Sequence, residues 1–79
     1  MTYTYILKSE YYDQYYFGHT NNLKKRLSEH NSGKSKHTSN YKPWTIVWYA
    51  CFIEETTAIA FEKYLKTASG KAFLRKRLI

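Results

Sequence analysis

Tyr3-Thr4-Tyr5-Ile6-Leu7 and Tyr15-Tyr16-Phe17-Gly18-His19-Thr20 decide the fold. Each run is rich in aromatic, apolar and β-branched residues, and each reads as a β-strand. The six residues between them, Ser9 to Gln14, suit a hairpin loop slightly longer than the usual roughly two to five. Antiparallel pairing is expected to bring Tyr5 near Tyr16, with the exact register left open. Gly18 inside the second strand marks a bulge, or a place where a backbone or ligand comes close.

Working outward, Thr20-Asn21-Asn22 offers N-cap residues ahead of Leu23-Lys24-Lys25-Arg26-Leu27-Ser28-Glu29-His30, and Gly33 is a stop signal. Leu23, Leu27 and His30 stack on one face of that helix. At about 100° per residue, Arg26 borders the same stripe. The polar, basic stretch Gly33 to Asn40 has no periodicity and reads as a loop closed by Pro43. Thr45 to Phe52 is the longest strand signal, and its unbroken run fits a central strand or one covered by helices on both faces. Glu54-Glu55-Thr56-Thr57 precede a helix from Ala58 to about Lys66, where acidic and capping residues suit its N-terminus. Ser69 can cap a last helix carrying Phe73, Leu74 and Leu78. The order is β-β-α-β-α-α, an α+β domain with a small sheet covered by helices.

Length and charge narrow the function. The chain has 79 residues, read as one domain spanning 1–79, and is 19% aromatic with a net charge of +7. So aromatic a chain is not one that stays disordered for want of a core. Lone Cys51 excludes an intrachain disulfide. The run Ile46 to Ile53 falls far short of the ~20 apolar residues of a membrane-spanning helix. With no basic-then-apolar leader at Met1-Thr2-Tyr3, a reduced, cytoplasmic domain is expected. The basic balance favours an anionic partner, nucleic acid before an acidic membrane surface.

Several side chains stand where structure alone does not require them. The apolar stripe of the second helix is Ala58, Phe61 and Leu65, and its missing slot holds Glu62. A carboxylate at that core edge needs a cation, a hydrogen-bond partner or a metal, and a structural salt bridge to Arg26 or a Lys is the plain reading. Arg26 and His30, one turn apart, point the same way, and a guanidinium held there can grip a phosphate with two parallel hydrogen bonds. His30 alone is more often a packing or capping residue. Tyr3, Tyr5, Tyr12, Tyr15 and Tyr16 read first as cross-strand aromatic pairs. A tyrosine, with an ordinary pKa near 10, serves as a base only beside positive charge or by relaying its proton. His19, His30 and His37 with Cys51 match no usual zinc spacing, and Cys51 reads as a small core residue.

Tyr3-Thr4-Tyr5, Tyr16-Phe17-Gly18, the run Asn22 to Asn31, Gly33-Lys34, Lys42-Pro43-Trp44 and Glu62-Lys63-Tyr64-Leu65-Lys66 together resemble the small stand-alone GIY-YIG nuclease-domain proteins, which are similar to the N-terminal nuclease domain of the repair excinuclease. The resemblance implies a three-stranded antiparallel sheet flanked by helices, and metal-dependent cleavage of phosphodiesters in DNA, in repair or recombination. It implies catalytic roles for Tyr5, Tyr16, Arg26 and His30, and for Glu62 as the ligand of Mg²⁺ or Mn²⁺. His19 follows the motif's glycine, where some relatives carry lysine. The asparagine that larger homing-type members carry beyond the glutamate has no clear counterpart here.

That implied chemistry makes physical sense. Phosphodiester hydrolysis needs a positioned water, a proton acceptor and charge stabilisation at the phosphoryl oxygens. Tyr5 is the candidate base, with Tyr16 the alternative. His19, Lys34, Lys36, His37 and Lys42 form the candidate nucleic-acid surface, giving salt-sensitive contacts with weak or structure-based selectivity. A partner protein can supply targeting. The competing reading is a catalytically inactive module that binds single strands by stacking and charge.

Overall fold

The computed structural model describes residues 1–78. Strand β1 (Thr2–Ser9) occupies the centre of a three-stranded antiparallel sheet, between β2 (Tyr15–Thr20) and β3 (Trp44–Phe52). Helix α1 (Leu23–Ser32) follows β2, and helices α2 (Glu55–Leu65) and α3 (Ala68–Arg77) follow β3. The architecture is the expected α+β order β-β-α-β-α-α. Among the described residues, no helix is long and apolar enough to cross a membrane.

Side chains of β1 alternate between two covered faces, because successive residues of a strand point to opposite sides. Tyr5 and Leu7 pack with Trp44 on one face, against Leu23 and Leu27 of α1. Ile6 packs on the other with Leu65 of α2 and Leu74 of α3. Burying Ile6, Leu7 and Leu65 completely contributes about 2 kcal/mol each. Thr4, polar yet fully buried, donates its hydroxyl to the Ala58 carbonyl at 2.7 Å and so ties the first turn of α2 to the sheet.

The central strand is β1, and the apolar run over β3 forms an edge. Every second residue of β3 from Thr45 to Cys51 is exposed, which its unbroken composition conceals. Cys51 accordingly lies on the surface, its Sγ 3.2 Å from Met1 Sδ, and is no core residue. The hairpin register pairs Tyr5 with Gly18 and Leu7 with Tyr16, so Tyr5 and Tyr16 are diagonal neighbours and come near each other as expected.

Helix ends follow local chemistry. Asn22 caps α1 by accepting from the Lys25 N–H, and Gly33, at φ 85°, ends it. Glu54 stands at the N-cap of α2 without a side-chain cap bond. Thr67, not Ser69, caps α3, accepting from the Gly70 N–H at 3.0 Å. The basic loop contains a single 3-10 turn, Ser39–Tyr41.

Gly70 sets the angle between α2 and α3. A β-carbon there would stand 1.9 Å from the Tyr64 carbonyl oxygen, a backbone atom that cannot swing aside. Gly70→Ala therefore forces α3 off Leu65 and is expected to cost about 3 kcal/mol, at the upper end of overpacking penalties. Urea unfolding followed by circular dichroism checks this; an unchanged midpoint would contradict it.

Candidate active site

Tyr5 is the innermost member of the site, only 2% exposed at the middle of β1. Its ring leans across β2 over Gly18, where a β-carbon would fall 2.6 Å from the phenol oxygen. The close approach expected at Gly18 is thus made by a side chain of the neighbouring strand. The phenol then meets His30 Nε2 at 3.0 Å. Tyr16, two residues before Gly18 on the same face, sets its ring 6.3 Å from Tyr5 and 4.7 Å from His30, centroid to centroid.

His30 is completely buried and both ring nitrogens are engaged, Nδ1 lying 2.8 Å from Thr38 Oγ1. The donors can be assigned by accounting for each hydrogen. The Thr38 hydroxyl also donates to the Ser35 carbonyl at 3.4 Å, and the Tyr5 hydroxyl oxygen lies 3.0 Å from His30 Nε2. One chain satisfies every group: Tyr5 O–H donates to Nε2, Nδ1–H donates to Thr38, and Thr38 O–H donates to Ser35. Burial, reinforced by the Arg26 charge, depresses the His30 pKa to about 4, so the ring is neutral at physiological pH.

Arg26 stands one turn before His30 on α1. Its Nη1 donates to Glu29 Oε1 at 3.0 Å, the contact that holds the Glu29 carboxyl below its ordinary range. Burial opposes its charge, but Glu29 and the phenols of Tyr5 and Tyr16 outweigh that and raise its pKa further. Tyr5 itself is pushed up to about 12 by burial, with Tyr16 and Glu62 adding to the rise and Arg26 partly offsetting it. The field of Glu62 thus reaches Tyr5 from α2.

The Glu62 side chain is 14% exposed and both its oxygens are paired. Oε1 is 2.5 Å from His19 Nδ1, and Oε2 accepts from Lys66 Nζ at 2.7 Å. Burial favours its protonation, yet Lys66 and His19 prevail and hold its pKa below the carboxylate range. The expected salt bridge to a lysine is present through Lys66, while Arg26 pairs with Glu29. His19, expected to face nucleic acid, commits one ring nitrogen to Glu62.

Lys34, Lys36, His37 and Lys42 are all exposed on the loop between α1 and β3. That loop does more than carry charge. Thr38 is buried within it, binds His30 and accepts the Trp44 indole N–H on its carbonyl at 2.9 Å. Asn31 completes the staple, its side-chain amide bonding the backbone N–H and carbonyl of Trp44. Sequence reasoning missed Thr38, since a threonine in an aperiodic polar stretch carries no burial signal. It also missed the Arg26–Glu29 pair, which the i,i+3 spacing would have disclosed.

The GIY-YIG catalytic domain model matches residues 1–77, and the chain belongs to this family. Its relatives include small proteins named UPF0213. A UPF0213 protein of Staphylococcus haemolyticus is 32% identical over 74 residues, covering 92% of this chain and 89% of that one. One from Bacillus pumilus is 40% identical over 57 residues, which span 71% of this chain and only 58% of the relative's length. The solution NMR structure of a UPF0213 protein from Bacillus halodurans superposes with a TM-score of 0.56 at 29% identity, covering 96% of this chain and 84% of that one.

A buried neutral histidine makes stability depend on pH in a defined window. The folded pKa of about 4 lies below the ordinary 6.5, so the unfolded chain binds more protons between those values. Stability is fully present above pH 6.5 and falls with pH toward about 4, by roughly 3 kcal/mol for this one group. Urea midpoints measured from pH 7.5 to 4.5 should fall steeply for the natural chain. They should fall less for His30→Gln, whose side chain does not titrate; parallel curves would contradict the assignment.

Proposed function

We propose that this chain is a divalent-metal-dependent endonuclease that hydrolyses phosphodiester bonds in DNA. The observation that carries the reading is the setting of the Tyr5 phenol. It is hydrogen-bonded to a neutral imidazole, flanked by Arg26 and Tyr16, and within the field of Glu62.

Among the described residues, no group of three His, Cys, Asp or Glu side chains is placed to hold an ion. Glu62, ionised at neutral pH, is the fitting protein ligand, and an ion there would take the remainder of its shell from water and substrate oxygens. Sparse coordination of that kind suits Mg²⁺ or Mn²⁺ and not zinc. Binding would exchange the carboxylate's contact with Lys66 or His19 for the ion. When bound, the ion supplies charge neutralisation at the phosphate.

The chain's own residues do the rest. Arg26 grips the scissile phosphate, with Glu29 setting the plane of its guanidinium. Tyr5 cannot serve as a preformed phenolate, because burial holds its pKa near 12. It instead accepts the proton of the attacking water while its own proton passes along the existing hydrogen bond to His30 Nε2, so no phenolate accumulates. Tyr16, partly exposed beside both rings, positions the water. The exposed Lys34, Lys36, His37 and Lys42 extend the contact along the nucleic-acid backbone without reading sequence.

Purified protein incubated with branched, flapped and single-stranded DNA tests the reading. Nicking should require Mg²⁺ or Mn²⁺, stop with chelator, and drop at least about a hundredfold in Glu62→Gln while DNA binding persists. Arg26→Ala should slow cleavage more than Lys36→Ala does. Binding without cleavage of any substrate would favour the non-catalytic module, and equal rates for the two basic variants would remove the role given to Arg26.

A further inference from the structure

A concavity of about 510 Å³ lies outside the constellation just described, lined by Asp13, Tyr15, Phe17, Lys71, Leu74 and Arg75. Its floor is apolar, formed where Phe17 packs beside Leu74 of α3. On one wall stands the Tyr15 ring, 38% exposed and held with Lys8 Nζ 5.5 Å from its centroid. On the other stand Lys71 and Arg75, four residues apart and therefore on one side of α3. Neither takes part in any ion pair among the described residues.

The position of the concavity relates it to the active site. Tyr15, Phe17 and His19 alternate along β2 and so share one face, and His19 is the residue that contacts Glu62. At roughly 3.3 Å per residue, Tyr15 lies about 13 Å along the strand from His19. Strand β2 is an edge of the sheet, so nothing in the sheet blocks a chain running beside it. An aromatic face, two cations and an apolar floor, set along an open edge that leads to a nuclease site, match the parts of one nucleotide. The base stacks on Tyr15, and the phosphate takes Lys71 and Arg75. Asp13, the one acid in the lining, excludes a second phosphate and can accept from an exocyclic amino group, as acidic side chains do from cytosine.

We propose that this groove holds one nucleotide of a single-stranded segment flanking the cleavage point, so that the enzyme prefers flapped or gapped DNA over continuous duplex. The proposal rests on the nuclease reading only for the word cleavage; the groove binds its nucleotide whether or not turnover occurs.

Fluorescence anisotropy in chelator tests it, using duplex DNA with a single-stranded flank and the same duplex without one. Tyr15→Ala should weaken binding of the flanked DNA about tenfold and leave the blunt duplex nearly unchanged, while Tyr15→Phe retains affinity. An abasic residue moved stepwise along the flank should weaken the natural chain at one position only, and that sensitivity should vanish in Tyr15→Ala. The double variant K71E/R75E should lose affinity for the flank and show a shallower salt dependence. Thermal melts establish that each variant is folded. Equal affinity of natural chain and Tyr15→Ala for the flanked DNA, indifference to the abasic position, or displacement of DNA by poly-glutamate as readily as by oligonucleotide would overturn the groove. None of these bears on metal-dependent cleavage of unflanked duplex, so the two readings fail separately.

Discussion

The fold and its site turn on a hydrogen-bonded chain, Tyr5 to His30 to Thr38 to the Ser35 carbonyl, sealed inside the sheet–α1 layer. A buried polar group without partners costs a few kcal/mol, and a half-satisfied network is worse than an apolar core. Here no buried side-chain nitrogen or oxygen among the described residues lacks a partner. The chain joins three segments: β1 supplies the phenol, α1 the imidazole, and the basic loop the hydroxyl. The loop is fixed in turn by the Trp44 indole and by Asn31. A polar core of this kind places a protonated phenol and a neutral base in contact without ionising either.

The electrostatics around that chain divide the labour between the faces of β2. Arg26 and Tyr16 sit with Tyr5 on the α1 side, and Glu62 approaches from α2, paired with His19. Gly18 is what admits the Tyr5 ring, because only an absent side chain leaves room for it over that strand. The Glu62 carboxylate is compensated by Lys66 and His19, so its partial burial leaves no charge stranded. The same pairing keeps Glu62 ionised and available to a stronger cation.

Much of this is legible in the sequence, and the failures are instructive. The strands, the three helices, the N-cap at Asn22 and the stop at Gly33 follow from local chemistry that tertiary contacts do not override. So does the anomaly at Glu62, because a carboxylate in an apolar stripe must find compensation wherever it lies. The position of β3 at an edge is not legible: composition reports the potential for burial, whereas strand order is set by which partners arrive. Cys51 misleads for the same reason. The hairpin register is hidden because the Tyr5 ring requires Gly18 opposite it, a steric demand invisible until the strands pair. Thr38 is hidden because its burial is created by Trp44 and His30, residues six and eight positions away that local pattern does not link to it.

The most direct test is the protonation state and tautomer of His30, read from its ring nitrogen chemical shifts by long-range proton–nitrogen NMR. The ring should stay neutral from pH 8 down to about 5, with the proton on Nδ1 and Nε2 accepting from Tyr5. A ring that titrates near its ordinary value of about 6.5, or one protonated at Nε2, would contradict the polar chain on which the site is built.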